Sequence, residues 1–392
     1  MSKIGIALEG GGAKGAYHVG VYKAYLENGY KFDGFVGTSI GAINAAAFAS
    51  ADFETTLKLW ENISLMQLFD EDVAEVLEWE TAKSDGRLGD RIKSTISKVI
   101  AHKGIDTTKI REFITPYIDE EKIRQLGLDV GLVTYSTTDW KPHEIFVKDV
   151  PEGKLIDYIM ASTRLPGFKA QFIDDKKFID GGIHDNWPVN MLINKGYDEI
   201  IAVRTNSFGK IRSYDQGANV TVIRPVEPLT STLAFSSDNS ANDIRLGYLD
   251  GLKAIHKLQG QYYYLRNVDL RGMLQCLVVL NHDELVKLKP YDVLKKYPGN
   301  RLLLEYAIPE LARHFKLPKK FTYDEFLIAI LEYTANKKGV NRYQIYDFDV
   351  FLELLRGEEK PITQVRLLDK IILSPERELF IERLVDTLLE YV

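Results

Sequence analysis

Phe35-Val36-Gly37-Thr38-Ser39-Ile40-Gly41-Ala42-Ile43-Asn44-Ala45-Ala46-Ala47-Phe48-Ala49 joins a short apolar run, a serine between two glycines and a helical stretch of small residues. This is the pattern of a strand that turns so sharply into a helix that only glycine fits on either side of the exposed serine. The turn also sets Ser39 at a helix N-terminus, where unpaired amides and the positive end of the dipole favour developing negative charge. A strand-to-helix turn with a capping hydroxyl would give the same letters.

The chain's first element bears on the choice. Ile4-Gly5-Ile6-Ala7-Leu8 reads as a buried strand, followed by Glu9-Gly10-Gly11-Gly12-Ala13-Lys14-Gly15 and a helix with Val19, Tyr22 and Leu26 on one face. A glycine-rich loop at a helix start offers amides to an anion. The candidates are a dinucleotide pyrophosphate, a nucleotide phosphate and the oxyanion of an acyl-transfer intermediate. Gly10, Gly12 and Gly15 satisfy the dinucleotide fingerprint, but Asp33, at the separation expected of the ribose-binding acid, precedes the second strand instead of ending it. A P-loop fails, because Lys14 comes before the last glycine and no Lys-Ser or Lys-Thr pair follows. The oxyanion alternative uses both loops: two strand-loop-helix units of a parallel sheet set them at one carboxyl edge, the usual place of an active site.

The 392 residues are 45% hydrophobic, enough for one large core or a core plus an appended domain. Fifty basic against 56 acidic residues give a net charge of −6, which argues against sequence-independent nucleic-acid binding but not against a local basic patch. The single cysteine, Cys276, lies in an apolar stretch and reads as a packing residue, so cysteines supply neither a metal cluster nor an intrachain disulfide. Met1-Ser2-Lys3 runs straight into the first strand and no apolar run approaches a membrane span. The expectation is a soluble, cytoplasmic protein without a signal peptide, with peripheral membrane contact left open.

A long helical region is expected over roughly 53–101, broken around Ser84-Asp85-Gly86. Its apolar residues Leu57, Trp60, Ile63, Leu65, Leu68 and Phe69 fit either a core-facing stripe or a mobile cover that contacts lipid. Strands follow at 129–136 and 143–147, a helix at 155–162 that stops before Pro166, and two short strands ending in Lys177-Phe178-Ile179-Asp180-Gly181-Gly182. Asp180 is either a carboxylate at a strand end or the acid of an ordinary turn. Strands are expected at 198–204 and 220–225, a polar loop at 236–240, and a helix from about Ala241 carrying Ile244, Tyr248, Leu252 and Ile255. Residues 1–267 form one α/β domain in this division, its motifs within about 1–205. Residues 268–392, rich in Leu and Tyr and punctuated by Pro290, Pro298, Pro309 and Pro318, form a helical extension without recognisable chemistry.

A serine nucleophile needs a proton acceptor. The histidines are His18, His102, His143, His184, His256, His282 and His314. An α/β-hydrolase forms its elbow after several strands and places acid and histidine later, whereas this elbow follows the second strand. His184 comes closest to a suitable loop setting but reads as an exposed loop residue. Gly10-Gly11-Gly12-Ala13-Lys14-Gly15, Gly37-Thr38-Ser39-Ile40-Gly41 and Asp180-Gly181-Gly182, in that order, resemble the three signatures of the patatin-like phospholipase family. Ala161-Ser162 through Pro166 and Phe168, and Asn186 with Pro188, are also similar to it; the resemblance covers about the first 200 residues.

The resemblance implies a three-layer α/β/α fold with a mainly parallel central sheet and a Ser39–Asp180 dyad without histidine. It also implies an oxyanion site from the Gly10–Gly15 loop, with the amides of Gly11, Gly12, Ala13 and Ile40 foremost. The activity implied is hydrolysis of acyl esters in lipids or phospholipids, of phospholipase A or lysophospholipase type, without a cofactor or catalytic metal. Glu9 and Lys14 depart from the Asp and Arg the family often carries, and lysine lacks the planar fork of arginine. Acyl transfer on the same elbow and a non-catalytic interaction protein are the alternatives.

Overall fold

The structure, a computed structural model, describes residues 2–82, 104–279, 301, 303–357, 368, 371 and 373–391. The expected break at Ser84–Gly86, His102, His282, Pro290 and Pro298 lie outside the described residues. The chain forms two compact units, Met1–Ile255 and His256–Val392.

In the first unit, β1 (Ile4–Leu8) leads through a 3-10 turn into α1 (Ala16–Glu27), and β2 (Gly34–Thr38) leads into α2 (Ile40–Ser50). Next come α3 (Phe53–Glu61), α4 (Leu65–Leu68), α5 (Glu71–Ala82), α6 (Thr108–Ile114) and α7 (Glu120–Leu126). Then follow β3 (Asp129–Ser136), β4 (Lys141–Phe146), α8 (Leu155–Ser162), β5 (Gln171–Ile173), β6 (Lys176–Asp180) and α9 (Val189–Ile193). The unit closes with β7 (Glu199–Val203), β8 (Val220–Ile223) and α10 (Ser237–His256).

Strands β3, β2, β1, β7 and β8 are parallel neighbours in that order, and β4, β5 and β6 add antiparallel pairings. Both faces of the parallel part are apolar, which is why the strands read as runs of hydrophobic residues. Ile6, Leu8, Phe35, Leu132, Ile201 and Val203 join the core that holds α1 and α2. Ala7, Val36, Val133, Ile200 and Ala202 pack on the other face against Trp187, Val189, Met191 and Leu192. The result is an α/β architecture with helices on both sides of a mainly parallel sheet.

One detail of the pairing positions the site. β4 pairs with Gly131–Ser136 of β3 along one edge without interruption. β2 and β6 therefore share the opposite edge: Thr38, the last residue of β2, faces Val133, and Asp180, the last of β6, faces Thr134. The two strands run toward each other and stop at adjacent rungs of the same support.

The expected polar loop at 236–240 is instead the first turn of α10. Ser236 caps it, its Oγ accepting the Asn239 amide at 3.2 Å. The serines and acids that read as loop are the residue types that favour a helix start.

The second unit has its own core, built largely on helices Arg271–Val279, Ile308–His314, Tyr323–Lys337, Phe348–Arg356 and Pro375–Glu390. Cys276 is fully buried in it. Buried Glu332 accepts the amides of Gln261, Tyr262 and Tyr263, each at 2.8 Å, ahead of the strand Tyr264–Arg266. That strand pairs in parallel with Ile345–Asp347. Three-residue strands are too short for their alternation to register, and the helical expectation for 268–392 did not include Ile345–Asp347. Among the described residues no helix is long and apolar enough to cross a membrane.

Candidate active site

Ser39 has φ 56° and ψ −124°, a conformation rare for a residue with a side chain. Its surroundings enforce it. A Cβ at Gly37 would lie 2.1 Å from the Gly41 carbonyl oxygen, and one at Gly41 would lie 2.3 Å from that of Leu8, so neither position tolerates alanine without displacing backbone. The Ser39 amide donates to Ser162 Oγ at 2.9 Å, and that hydroxyl donates to the Val133 carbonyl at 2.7 Å. Ser162 thus fastens the elbow to β3 from the end of α8. The stretch from Ala161 to Pro166 carries part of the family resemblance, but the sequence does not say which groups the Ser162 hydroxyl bonds.

Asp180 reaches the same place from β6. A Cβ on Gly181 would meet the Val133 carbonyl oxygen at 2.1 Å, so glycine is required where the chain leaves β6 across β3. Asp180 Oδ1 accepts the Gly182 amide at 2.7 Å; Oδ2 is buried without a hydrogen-bond partner. Burial pushes the carboxyl from its ordinary 3.8 up to about 6, opposed by the Gly182 amide and by the hydroxyl of Ser39. Among the described residues Ser39 is the one side chain that acts on this carboxyl, although no contact of ordinary hydrogen-bond geometry closes between them.

The glycine loop lies beside the elbow, with its amides unequally committed. Gly10 donates to the Asn186 carbonyl at 3.0 Å, Ala13 to the Thr232 carbonyl at 2.9 Å, and Lys14 weakly to Gly11 at 3.4 Å. Among the described residues, the amides of Gly11, Gly12 and Ile40 donate to no protein acceptor. Gly12 has φ +60°, and a Cβ there would strike the Thr232 oxygen at 2.1 Å. The loop brings all six residues from Gly10 to Gly15 to this edge, but its free donors are Gly11 and Gly12, with Ile40 across the elbow.

The departures at Glu9 and Lys14 have structural accounts. The Glu9 carboxylate is fully buried, and its Oε2 accepts Arg204 Nε at 2.7 Å, the Thr205 amide at 2.6 Å and the Asn206 amide at 3.1 Å. It therefore ties the end of β1 to the end of β7. Lys14 is buried with Nζ 3.5 Å from the Thr205 carbonyl; desolvation lowers its pKa, and the charges of Glu9 and Asp243 oppose this. It braces the loop from behind, a task that needs no planar fork.

A buried polar relay joins loop and elbow helix. Asn44 Nδ2 donates to the Gly15 carbonyl at 2.9 Å and to His18 Nδ1 at 3.2 Å, while Asn44 Oδ1 accepts Trp60 Nε1 at 3.1 Å. Desolvation drives the His18 pKa down to about 3, so its ring is neutral. His184 contacts Glu144 at 3.1 Å.

Ser39 opens into a cleft of ≈ 600 Å³, counting its open mouth. Apart from Gly12, Ser39 and Thr163 its walls are hydrocarbon, including Ile43, Ile110, Phe113 and Phe168. Ile63, Leu68 and Phe69 of the apolar stripe line it too, while Leu57, Trp60 and Leu65 pack into the core, so the stripe serves packing and cleft together. Among the described residues no histidine lines the cleft.

Fold and site define a serine-elbow domain of the α/β class, with a carboxylate and a glycine loop at one sheet edge. Residues 6–193, within the α/β unit, match the family described as patatin-like phospholipase. A patatin-like phospholipase domain-containing protein of Caenorhabditis elegans is 27% identical over 224 residues, covering 56% of this chain and 15% of that protein. Neuropathy target esterase sws of Drosophila melanogaster is 29% identical over 211 residues, 53% of this chain and 13% of that protein. Lysophospholipase nte1 of Aspergillus terreus is 28% identical over 208 residues, 52% of this chain and 12% of that protein. The chain thus spans a small part of the length of these relatives.

Proposed function

We propose that this protein hydrolyses acyl ester bonds of lipids, as a phospholipase A or lysophospholipase, with Ser39 as nucleophile and Asp180 as proton acceptor. The observation that carries it is the meeting of β2 and β6 on one edge of β3, which sets the Ser39 hydroxyl beside a buried, unpartnered carboxylate oxygen at an apolar cleft. The relatives' names, phospholipase and lysophospholipase, support the substrate class.

In the mechanism Asp180 Oδ2 takes the Ser39 Oγ proton as Oγ bonds to the ester carbonyl carbon. The amides of Gly11, Gly12 and Ile40 receive the oxyanion, and each such donor is worth about 2.7 to 4 kcal/mol of barrier. Collapse breaks the ester C–O bond, and the leaving alkoxide takes the proton from Asp180. Water, deprotonated by the same carboxylate, then attacks the acyl-serine and releases fatty acid, restoring Ser39. The acyl chain lies in the hydrocarbon cleft. An ordinary aspartate is a weak base, and the desolvation that raises Asp180 brings its pKa nearer the operating pH.

Fluorophosphonate labelling, with fatty-acid release from a lysophospholipid measured alongside, tests the assignment. Wild type is expected to label and turn over, Ser39→Ala to do neither, and Asp180→Asn to label slowly. Undiminished labelling of Asp180→Asn removes Asp180 from its role; labelling that persists in Ser39→Ala removes the nucleophile.

A further inference from the structure

Single exposed apolar side chains are common on soluble surfaces, so exposure alone says little. Phe208 differs in degree and in how it is held. It is 97% exposed, within Asn206-Ser207-Phe208-Gly209-Lys210-Ile211-Arg212. The turn is stitched to the loop after Asp180: Lys210 donates its amide to the Gly182 carbonyl at 2.8 Å, Asn186 donates its amide to the Lys210 carbonyl at 2.7 Å, and Asn186 Nδ2 donates to the Phe208 carbonyl at 3.3 Å. Phe208 is thus presented to solvent from a braced backbone.

Its place is the rim of the candidate active site. A Cβ on Gly11 would meet Ser207 Oγ at 2.4 Å, so the residue before Phe208 touches the glycine loop. Ile183, which follows the Asp180-Gly181-Gly182 run, is 49% exposed, and Ile211 is exposed beside them. Trp140, 77% exposed, sits in the turn beyond the carboxyl end of β3, at the same edge of the sheet. Lys210 and Lys141 are exposed next to these aromatics, while Arg212 is partly engaged with Glu144. Aromatic and aliphatic side chains with adjacent cations match a bilayer interface, where rings settle at headgroup depth and basic groups meet anionic lipid.

We propose that this rim docks on an anionic phospholipid bilayer, with Phe208 and Ile183 inserted at the boundary between headgroups and acyl chains and Lys210 facing the lipid phosphates. It rests on the lipid substrate proposed above. The charge of the whole chain is negative, so attraction to anionic lipid is local to this edge.

The test uses the full chain. Cys276 is the only cysteine and is fully buried, so Phe208→Cys takes a thiol-reactive environment-sensitive fluorophore at one place. Vesicles of equal parts phosphatidylcholine and phosphatidylserine are expected to shift its emission to the blue, and phosphatidylcholine vesicles to do so more weakly. In co-sedimentation with the mixed vesicles, Phe208→Ala is expected to bind about tenfold more weakly than wild type at unchanged thermal stability. An unshifted emission, equal binding of Phe208→Ala and wild type, or equal response to both vesicle types overturns the proposal. Wild-type turnover of a soluble short-chain ester separates the two ideas: turnover without insertion refutes the docking, and insertion without turnover supports docking while refuting the hydrolase.

Discussion

Asp180 carries two consequences that can be measured at a single residue. With its carboxyl at about 6, kcat/KM is expected to fall on the acid side with an apparent pKa near 6, because in the proposed mechanism the protonated group no longer accepts the Ser39 proton. A pH–rate profile on a soluble ester, flat from pH 7 down to 4.5, would contradict this. The same shift is a statement about stability. A carboxyl raised in the fold from 3.8 to about 6 costs nothing below pH 3.8, where folded and unfolded chains are both protonated; the cost accrues as pH rises and is complete above pH 6. Its size is on the order of 3 kcal/mol. Asp180→Asn is therefore expected to unfold at higher urea concentration than wild type at pH 8, with the advantage fading between pH 6 and 4. Much of this is legible in the sequence, because Gly37, Gly41 and Gly181, the glycines beside the serine and after the strand end, stand where any Cβ would strike backbone. What is not legible is long-range: Ser162 under the elbow, and Thr232 consuming the Ala13 amide, depend on partners far away in the chain.

Between elements, Asn44 ties the proposed nucleophile's helix to the glycine loop, since it bonds from α2 to the end of the glycine turn, to α1 and to α3. Asn44→Ala leaves the Gly15 carbonyl and the Trp60 indole nitrogen without this partner in a dry interior. The expected loss is about 2 to 4 kcal/mol of stability, with slower fluorophosphonate labelling at temperatures where the variant is still folded. Labelling at the wild-type rate would show that the loop keeps its position without Asn44. In the sequence Asn44 is one polar letter in a run of alanines and gives no sign of its three partners. Element types were easier to read than element ends. The strands of the parallel sheet are apolar runs bounded by glycine, whereas the start of α10 was masked by residues that serve loops and caps alike.

At the scale of the molecule, the two units have separate cores, and the residues proposed for chemistry all lie in the first. In the second, Thr322 and Glu325 form a reciprocal cap on the helix Tyr323–Lys337. Thr322→Ala is expected to cost that unit about 1 kcal/mol, seen by hydrogen exchange in residues 323–337, while Ser39 labels as in wild type. A fall in labelling would show that the second unit supports the site. The composition and family signatures of the first unit announce its fold; the second, with its two short strands and helical periodicity, announces little beyond a hydrophobic interior.

The abutting ends of β2 and β6 make the distance between hydroxyl and carboxylate a property of a single peptide unit, the one joining Val133 to Thr134. One extra residue inserted at that joint would part the pair by about 3.3 Å, and a protein otherwise intact would fall silent.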